Sequence, residues 1–350
     1  MIEGKTVRVQ GLEVDVITLS NVMCRAALTN LGARLMELHV PDKDGRLADI
    51  VLQRRSFEDM AADDHYMGAT VGRYANRIRR GQLIIDDVPV QLSINEGGNH
   101  LHGGRLGFDR RVWSTEVSAD SDAVTFWRMS PNGEEGYPGT LTTAVTYRLD
   151  GPALSIDMRA TTDAATIVNI AHHSYFNLGG HESGSILGHL AEIRSSFYIP
   201  VDDELLPTGE VLAVEGTPFD FRKPTRVGEK MAGVMHAGAG HLTTGSPGYD
   251  HNWVLDGTGM RVAAVISDPL SGRQLTMSTN QPGVQFYAGG YLNGASGKPP
   301  VGEYEAFAGL TLETQTFPDA VNHSHFPQAT LHPGETYRNM VRFDFCAIAP

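Results

Sequence analysis

Three separate segments of the sequence contain histidines or a glutamate, the residue types that commonly transfer protons in enzymes. His172 and His173 are adjacent and lie near mid-chain, after a short apolar run and before a glycine pair. His100 and His102 lie upstream between two glycine pairs, and Glu313 lies in an apolar run far downstream. Imidazole and carboxylate side chains can be tuned to titrate near neutral pH, which suits them to general acid–base catalysis. If the three segments meet in the folded chain, we expect an acid–base site.

Glu313 is a candidate for the base of such a site. The surrounding run, residues 309–315, should form a strand whose alternate side chains are buried. Burial raises the pKa of a carboxyl group because the charged form loses its hydration. We therefore interpret Glu313 as a carboxylate poised to accept a proton. A structural glutamate held in a salt bridge is the alternative interpretation.

The spacing of His100 and His102 also suits a metal ion. In an extended segment both rings would lie on one face, and the histidine pair downstream could add a ligand. A closed metal site needs a carboxylate or another ligand close by. No acidic residue follows His102 before Asp109, and the segment has no cysteine. We therefore favour proton transfer over metal binding; histidines that only satisfy backbone groups are a further alternative.

Polar residues suited to holding hydroxyl groups occur in further segments. Arg77 follows Asn76 in an arginine-rich run, where one guanidinium turned inward could donate a planar fork of hydrogen bonds. Asp250 has aromatic neighbours and precedes an apolar run, and Gln285 interrupts another apolar run. Amides, carboxylates and arginine beside aromatic faces suit a carbohydrate, because hydroxyls need directional hydrogen bonds and sugar rings stack on aromatic rings.

Short alternating segments between turn residues predict that strands position these side chains. Helical periodicity is scarce and is confined to residues 56–62 and 229–236. Many strands and few helices predict an all-β fold, a large antiparallel β-sandwich forming one domain over residues 1–350, with a surface loop at 233–248. The predicted strands include Val7–Gln10, Val14–Leu19, Met23–Leu28, Leu35–Val40, Gln82–Ile85, Val88–Leu92, Val112–Val117, Ala123–Met129, Thr142–Leu149, Ala153–Ala160, Ala191–Ile199, Arg261–Ser267, Gln274–Thr279 and Tyr337–Phe345.

Charge and composition exclude several classes of protein. The 28 Lys and Arg residues against 41 Asp and Glu residues give a net charge of −13, which argues against nucleic-acid and acidic-membrane partners. No signal-peptide pattern and no apolar run long enough for a spanning helix occur. Cys24 and Cys346 do not make a disulfide framework, so a reducing compartment is expected. The sequence thus predicts a cytoplasmic protein.

Several motifs, taken in their order along the chain, resemble those of the aldose 1-epimerases, or galactose mutarotases. The resemblance runs from about residue 20 to the C-terminus. Each motif alone is modest, but their shared order is specific. The motifs are Asn76-Arg77, Asn99–Gly104, Glu135–Gly139, His173–Leu178, Asp220–Arg222, Tyr249–Asn252, Gly283–Tyr287, Leu312–Gln315, Pro318–Asn322 and Leu331–Tyr337.

The resemblance implies a large β-sandwich of the galactose mutarotase type. It implies interconversion of the α and β anomers of free aldohexoses such as galactose and glucose, without a metal or an organic cofactor. Position by position, it implies that Glu313 is the general base and His173 the general acid. His102 would contact the ring-oxygen side of the sugar.

The resemblance also implies which residues hold the sugar hydroxyls. Arg77, Asp250 and Gln285 match those positions, and Asn76 adjoins the arginine. His172 departs from the family pattern, so neither it nor His100 receives a role.

Two other functions remain open on the sequence. A hexose-phosphate 1-epimerase should line its pocket with cationic residues, whereas Asp250 would repel a phosphate dianion. A non-catalytic carbohydrate-binding module would not need a matched acid and base. The expected partner is a monosaccharide, for a chain that is a monomer or a homodimer.

Overall fold

Antiparallel strands make up most of the regular structure. The computed structural model describes residues 1–118, 122–234 and 248–348, so most of the predicted loop at 233–248 lies outside the described residues. In chain order the strands are β1 (Ile2–Val9), β2 (Leu12–Ser20), β3 (Arg25–Thr29), β4 (Arg34–Pro41), β5 (Leu47–Asp49), β6 (Thr70–Val71), β7 (Arg77–Ile78), β8 (Gln82–Ile85), β9 (Val88–Gln91), β10 (His100–Leu101), β11 (Ser114–Ser118), β12 (Ala123–Ser130), β13 (Leu141–Asp150), β14 (Ala153–Thr162), β15 (Thr166–Ile167), β16 (Ala171–His172), β17 (Tyr175–Phe176), β18 (Leu190–Ile193), β19 (Phe197–Ile199), β20 (Leu212–Ala213), β21 (Thr225–Arg226), β22 (Asp250–Val254), β23 (Arg261–Ser267), β24 (Arg273–Thr279), β25 (Gly283–Tyr287), β26 (Ala295–Ser296), β27 (Glu303–Tyr304), β28 (Leu310–Gln315), β29 (Thr330–Leu331) and β30 (Tyr337–Ala347).

Helices are few and short in the described part of the chain. Ser56 caps α1, because its hydroxyl accepts a hydrogen bond from Asp59 N at 3.1 Å. The helix predicted over residues 229–236 is observed only as α2, and its last two residues lie outside the described ranges. The helices are α1 (Phe57–Ala61) and α2 (Met231–Val234), with 3₁₀ turns at Arg79–Gly81, Phe108–Arg110, Glu134–Gly136, Ile186–Gly188 and Ala320–Asn322. None of the described helices is long and apolar enough to cross a membrane.

Three larger antiparallel sheets carry the fold. Their strand orders are β1-β2-β3-β4-β5, β11-β12-β13-β14-β30-β24-β23-β18-β21 and β17-β28-β25-β22-β19-β20. One cluster of buried apolar side chains joins all three, from Ile17 on β2 through Phe126 on β12 to Phe286 on β25. Burial of this apolar surface is the main favourable term in folding. The predicted all-β antiparallel sandwich is thereby confirmed.

One predicted strand is wrong. Residues 191–199 were expected to form a single strand, but Leu190–Ile193 pairs within the nine-stranded sheet and Phe197–Ile199 within the six-stranded sheet. The hydroxyl of Ser195, between the two, donates to the backbone oxygens of Phe197 and Val254. A serine that bonds nearby backbone in this way competes with the strand ladder, so the chain changes sheets there.

Candidate active site

Strands β28, β25 and β22 form the floor of a candidate site. Glu313 on β28 lies opposite Gln285 on β25, and Asp250 on β22 lies opposite Tyr287, two residues beyond Gln285 on the same strand. Directly paired residues, and residues two apart, point to the same face of a sheet, so these side chains share one face. The alternate residues, such as Leu312, enter the apolar core. The alternation of β28 thus delivers a buried carboxylate to one side and apolar packing to the other.

The backbone N–H and C=O groups of His173 both form hydrogen bonds with the two residues that precede β6. His173 N donates to Ala69 O at 2.9 Å, and Gly68 N donates to His173 O at 3.0 Å. Its Nε2 atom lies 3.4 Å from Oε1 of Glu313. The structure therefore brings the predicted acid and the predicted base side by side, although 140 positions separate them in the sequence.

His102 is held at the edge of the site by two hydrogen bonds to one residue. His102 N donates to Asn76 O at 3.1 Å, and Asn76 N donates to His102 Nδ1 at 3.1 Å. Because Nδ1 accepts, the neutral ring carries its proton on Nε2. His102 itself has φ of 50°, and a Cβ on Gly103 would lie 1.7 Å from Gly72 O. Only glycine therefore lets the chain turn away immediately after this histidine.

Three rings pack against one another beside Glu313. The imidazoles of His102 and His173 meet edge to face with their centres 5.2 Å apart, and the Tyr66 ring lies 4.6 Å from the first and 5.8 Å from the second. Asp63 holds the segment that carries Tyr66, since its carboxylate accepts from the backbone N–H groups of residues 65 and 67. Packing of this kind limits the rotamers open to the two imidazoles.

These side chains surround one cavity of about 260 Å³. It is lined by Asp64, His65, Tyr66, Asn76, Arg77, Glu96, Leu101, His102, His173, Tyr175, Leu205, Asp250, Tyr287, Tyr291 and Glu313. Of the predicted site residues, only Gln285 does not line it. The Gln285 amide instead donates to Asp250 Oδ1 at 2.7 Å, so it supports a lining residue from behind.

Burial shifts the pKa values of Glu313 and His173 in opposite directions. Burial, with the nearby charge of Asp250, raises the pKa of Glu313 to about 8, against the hydrogen bond from Thr311 and the charge of Arg77. Burial lowers the pKa of His173 to about 4. Between these values the two groups together hold a single proton. That condition suits a pair in which one member accepts a proton while the other donates one.

His172 points away from the cavity into the core. Successive side chains of an extended segment point to opposite faces, so only one of the two adjacent histidines can enter the site. The Nε2 atom of His172 lies 2.7 Å from Ser174 Oγ, and its ring packs edge-on to Tyr147. Burial lowers its pKa to about 3. The structure therefore gives His172 a packing role.

His100 also lies outside the cavity. Its Nδ1 atom donates to Ser93 O at 2.7 Å, which leaves Nε2 to accept the hydrogen bond of 2.6 Å from the Tyr137 hydroxyl. These contacts fix His100 to Ser93, upstream in the same segment, and to Tyr137 in a separate segment. The His-x-His spacing therefore does not place both rings on one ligand.

Three of the described side chains nevertheless lie close enough together to hold a metal ion. Ligand atoms of His102, His173 and Glu313 lie within 4.8 Å of one another, so the carboxylate missing from the local sequence comes from a distant strand. However, the backbone N–H of Asn76 occupies His102 Nδ1, and Nε2 therefore carries the proton. A metal at Nε2 would have to displace that proton and leave an imidazolate. The donor set fits proton transfer better than metal binding.

Several cavity residues were not predicted from the sequence. Glu96 lies in a turn, and Tyr66 and Tyr291 lie in irregular segments. Tyr175 and Tyr287 belong to motifs of the family resemblance, but no local pattern assigned them to the cavity. Their position becomes evident only once the sheets are assembled. These residues are Tyr66, Glu96, Tyr175, Tyr287 and Tyr291.

The site is thus a polar, tyrosine-lined cavity in an all-β sandwich, with a buried contact between a histidine and a glutamate. The family model "Aldose 1-epimerase" matches residues 15–344. The chain therefore belongs to the aldose 1-epimerase family, and the predicted family and isomerase class are confirmed.

Individual relatives agree with this assignment. The chain is 42% identical to a galactose mutarotase of Homo sapiens over 336 residues, which cover 96% of this chain and 95% of that protein. It is 36% identical to an aldose 1-epimerase of Escherichia coli, with 91% of each chain covered. The crystal structure of a galactose 1-epimerase from Lactobacillus acidophilus matches with a TM-score of 0.84 and 31% identity, and covers 100% of this chain and 99% of that one.

Proposed function

We propose that the chain interconverts the α and β anomers of free aldohexoses such as galactose and glucose. The observation that carries this proposal is the contact of 3.4 Å between His173 Nε2 and Glu313 Oε1 inside a polar cavity. The names of the similar proteins, galactose mutarotase and aldose 1-epimerase, support it. The reaction needs one acid and one base, and no group on the protein has to form a covalent bond.

Ring opening follows from two proton transfers. The reaction starts from the minor form of the pair, in which His173 holds the shared proton and Glu313 is ionised. Glu313 takes the proton of the C1 hydroxyl, the C1–O5 bond breaks as C1 becomes an aldehyde, and His173 gives its proton to O5. Rotation about C1–C2 presents the other face of the carbonyl. Closure reverses both transfers: O5 attacks C1, the O5 proton returns to His173, and the proton on Glu313 returns to O1. The pair holds one proton throughout, and each positioned transfer contributes roughly 10²–10⁴-fold.

The remaining predicted residues have places in this scheme. Glu313 Oε2 is buried and has no hydrogen-bond partner among the described residues, so it is available to the C1 hydroxyl. The proton on His102 Nε2 makes this atom a donor for the ring-oxygen side of the sugar. Arg77 and Asp250 offer a donor and an acceptor for other hydroxyls, while Gln285 orients Asp250. No step needs a metal ion or a cofactor.

The charges around the cavity favour a free sugar over a hexose phosphate. Four carboxyl groups line it, those of Asp64, Glu96, Asp250 and Glu313. The lining residues include one arginine, Arg77, and its charge is already paired with that of Glu96. A phosphate dianion would need several uncompensated cations.

The test is polarimetry of freshly dissolved α-D-glucose and α-D-galactose with EDTA present. We expect faster relaxation to an unchanged final rotation, with glucose 6-phosphate accelerated much less. A folded protein that accelerates neither free sugar would overturn the proposal. Acceleration of glucose 6-phosphate alone would support the hexose-phosphate alternative, and binding of sugar without acceleration would support the carbohydrate-binding module.

The pH profile of the reaction should be bell-shaped, with limbs near pH 4 and pH 8. Below about pH 4 both His173 and Glu313 are protonated, so no base remains; above about pH 8 Glu313 loses the shared proton while His173 is neutral, so no acid remains. Initial polarimetric rates at low sugar concentration, corrected for the buffer-catalysed reaction, measure this profile for the free enzyme. A rate that is flat from pH 3 to pH 10 would contradict the pairing.

We also propose a single cytoplasmic domain over residues 1–350 that is a monomer or a homodimer. The apolar core cluster extends from Ile17 to Phe345, which supports one domain. Light scattering coupled to size-exclusion chromatography would measure the oligomeric state.

A further inference from the structure

Glu96 is a charged cavity residue that the proposed mechanism does not use. It lies in the turn before the segment that carries His102, and its backbone exchanges hydrogen bonds with Asn99: Glu96 N donates to Asn99 O at 3.1 Å and Asn99 N donates to Glu96 O at 2.8 Å. Its side chain turns toward Arg77, with Oε1 2.9 Å from Nη2 and Oε2 3.3 Å from Nε. This two-point contact is the bidentate geometry in which arginine and carboxylate fit each other.

The contact occupies one edge of the Arg77 guanidinium and leaves the other available. A guanidinium is planar and presents two edges, one formed by Nε with Nη2 and one formed by both Nη groups. Glu96 holds the first edge. Within residues 1–118, 122–234 and 248–348, Nη1 donates no hydrogen bond to a protein acceptor. Because Arg77 lines the cavity and Glu96 occupies its first edge, the second edge is the one left available to a ligand.

We propose that Glu96 is a positioning residue, which clamps the Nε/Nη2 edge of Arg77 and thereby aims the other edge at the aldose hydroxyls. This inference rests on the proposed function, because it assigns a task to the arginine that holds the sugar. Without the clamp, a long arginine side chain would have to be ordered by the ligand itself. That ordering costs binding free energy, since a side chain rich in rotamers loses conformational entropy.

The charge of Glu96 has a second consequence, for the base. The charged and titratable groups that face Arg77 are Glu96, Asp250, Tyr66, Tyr291, His102 and Glu313. Arg77 lowers the pKa values of the carboxyl groups of Asp250 and Glu313 against the effect of burial, whereas Glu96 raises that of Asp250. Removal of the Glu96 charge leaves the positive charge of Arg77 less compensated, with Asp250 as the nearby carboxyl group that still faces it. The pKa of Glu313 should then fall, and the basic limb of the pH profile should move toward lower pH.

Glu96→Gln and Glu96→Asp separate the clamping of Arg77 from the effect of the Glu96 charge on the pKa of Glu313. Glutamine removes the charge and one of the two acceptors, so we expect KM for galactose to rise roughly 5- to 20-fold with kcat little changed, and the basic limb to move down by roughly half a pH unit. Aspartate keeps the charge but shortens the reach. Its KM should rise while the basic limb stays in place.

Glu215→Gln is the matched control. Glu215 pairs with Arg222 at 3.3 Å on the surface, and neither residue lines the cavity, so the same chemical change should leave KM and the pH profile as in the wild type. If Glu96→Gln lowers only the melting temperature, with KM and the basic limb unchanged, Glu96 merely stabilises its turn and the proposal fails.

Calorimetric titration with galactose keeps this test separate from that of the proposed function. Weaker binding by Glu96→Gln than by the wild type supports the clamp even without measurable turnover. Equal binding by the two overturns it. Wild-type protein that binds galactose but does not accelerate mutarotation would overturn the proposed function alone.

Discussion

Glu313→Gln is expected to lose roughly 10²–10⁴-fold in turnover while it still binds galactose, because the amide keeps the shape of the side chain but cannot accept a proton. The loss should fall on kcat, since proton transfer from the C1 hydroxyl occurs only as the ring opens. Neighbouring groups should tolerate the change, because an uncharged side chain at this buried position avoids the cost of a buried charge. Polarimetry and calorimetric titration of the same preparation measure the two quantities.

The matched control for this variant is Glu303→Gln, an exposed glutamate on β27. It should retain wild-type turnover. Turnover of Glu313→Gln close to the wild-type value would remove Glu313 from the mechanism. Loss of galactose binding together with turnover would instead give it a structural or substrate-holding role.

His173→Asn is expected to lose turnover by a similar roughly 10²–10⁴-fold and to reverse the pH dependence of what remains. In the wild type the rate is expected to fall above about pH 8, because the shared proton is lost. In the variant Glu313 is the member of the pair that still titrates, and it serves as a base only when ionised. The residual rate should therefore rise through about pH 8 rather than fall.

The outcome also decides between two histidines. His102 Nε2 carries a proton and lies in the same cavity, so it is the alternative acid. If His173→Asn keeps the bell-shaped profile of the wild type, the acid role passes to His102. His102→Asn would then be expected to show the reversed profile instead.

The sequence predicted the chemistry of single segments better than their relations in space. A glutamate in an alternating apolar run was identifiable as buried, because the alternation of β28 is local. That Gln285 lies opposite Glu313 depends on strand pairing over distances that no local pattern records. The choice between His172 and His173 likewise depends on which face of an extended segment meets the cavity; the family resemblance identified His173 where spacing did not.

Two structural features could not be predicted from the sequence, and each has a physical reason. Glu96 lies in a turn, where a glutamate is ordinarily solvated, and only the fold brings Arg77 within reach of its carboxylate. The break at Ser195 was missed because residues 191–199 alternate like one strand. A serine hydroxyl that bonds to backbone carries no signal in hydrophobic periodicity.

The alternation along β28 makes the site intolerant of length changes. A strand that slips by one residue exchanges its two faces, so insertion or deletion of a single residue in β28 would place Leu312 in the cavity and Glu313 in the apolar core. Strand β25 has the same constraint, through the faces of Gln285 and Phe286. Variation in chain length that preserves activity is therefore confined to the connections between these strands, where an added residue leaves their register unchanged.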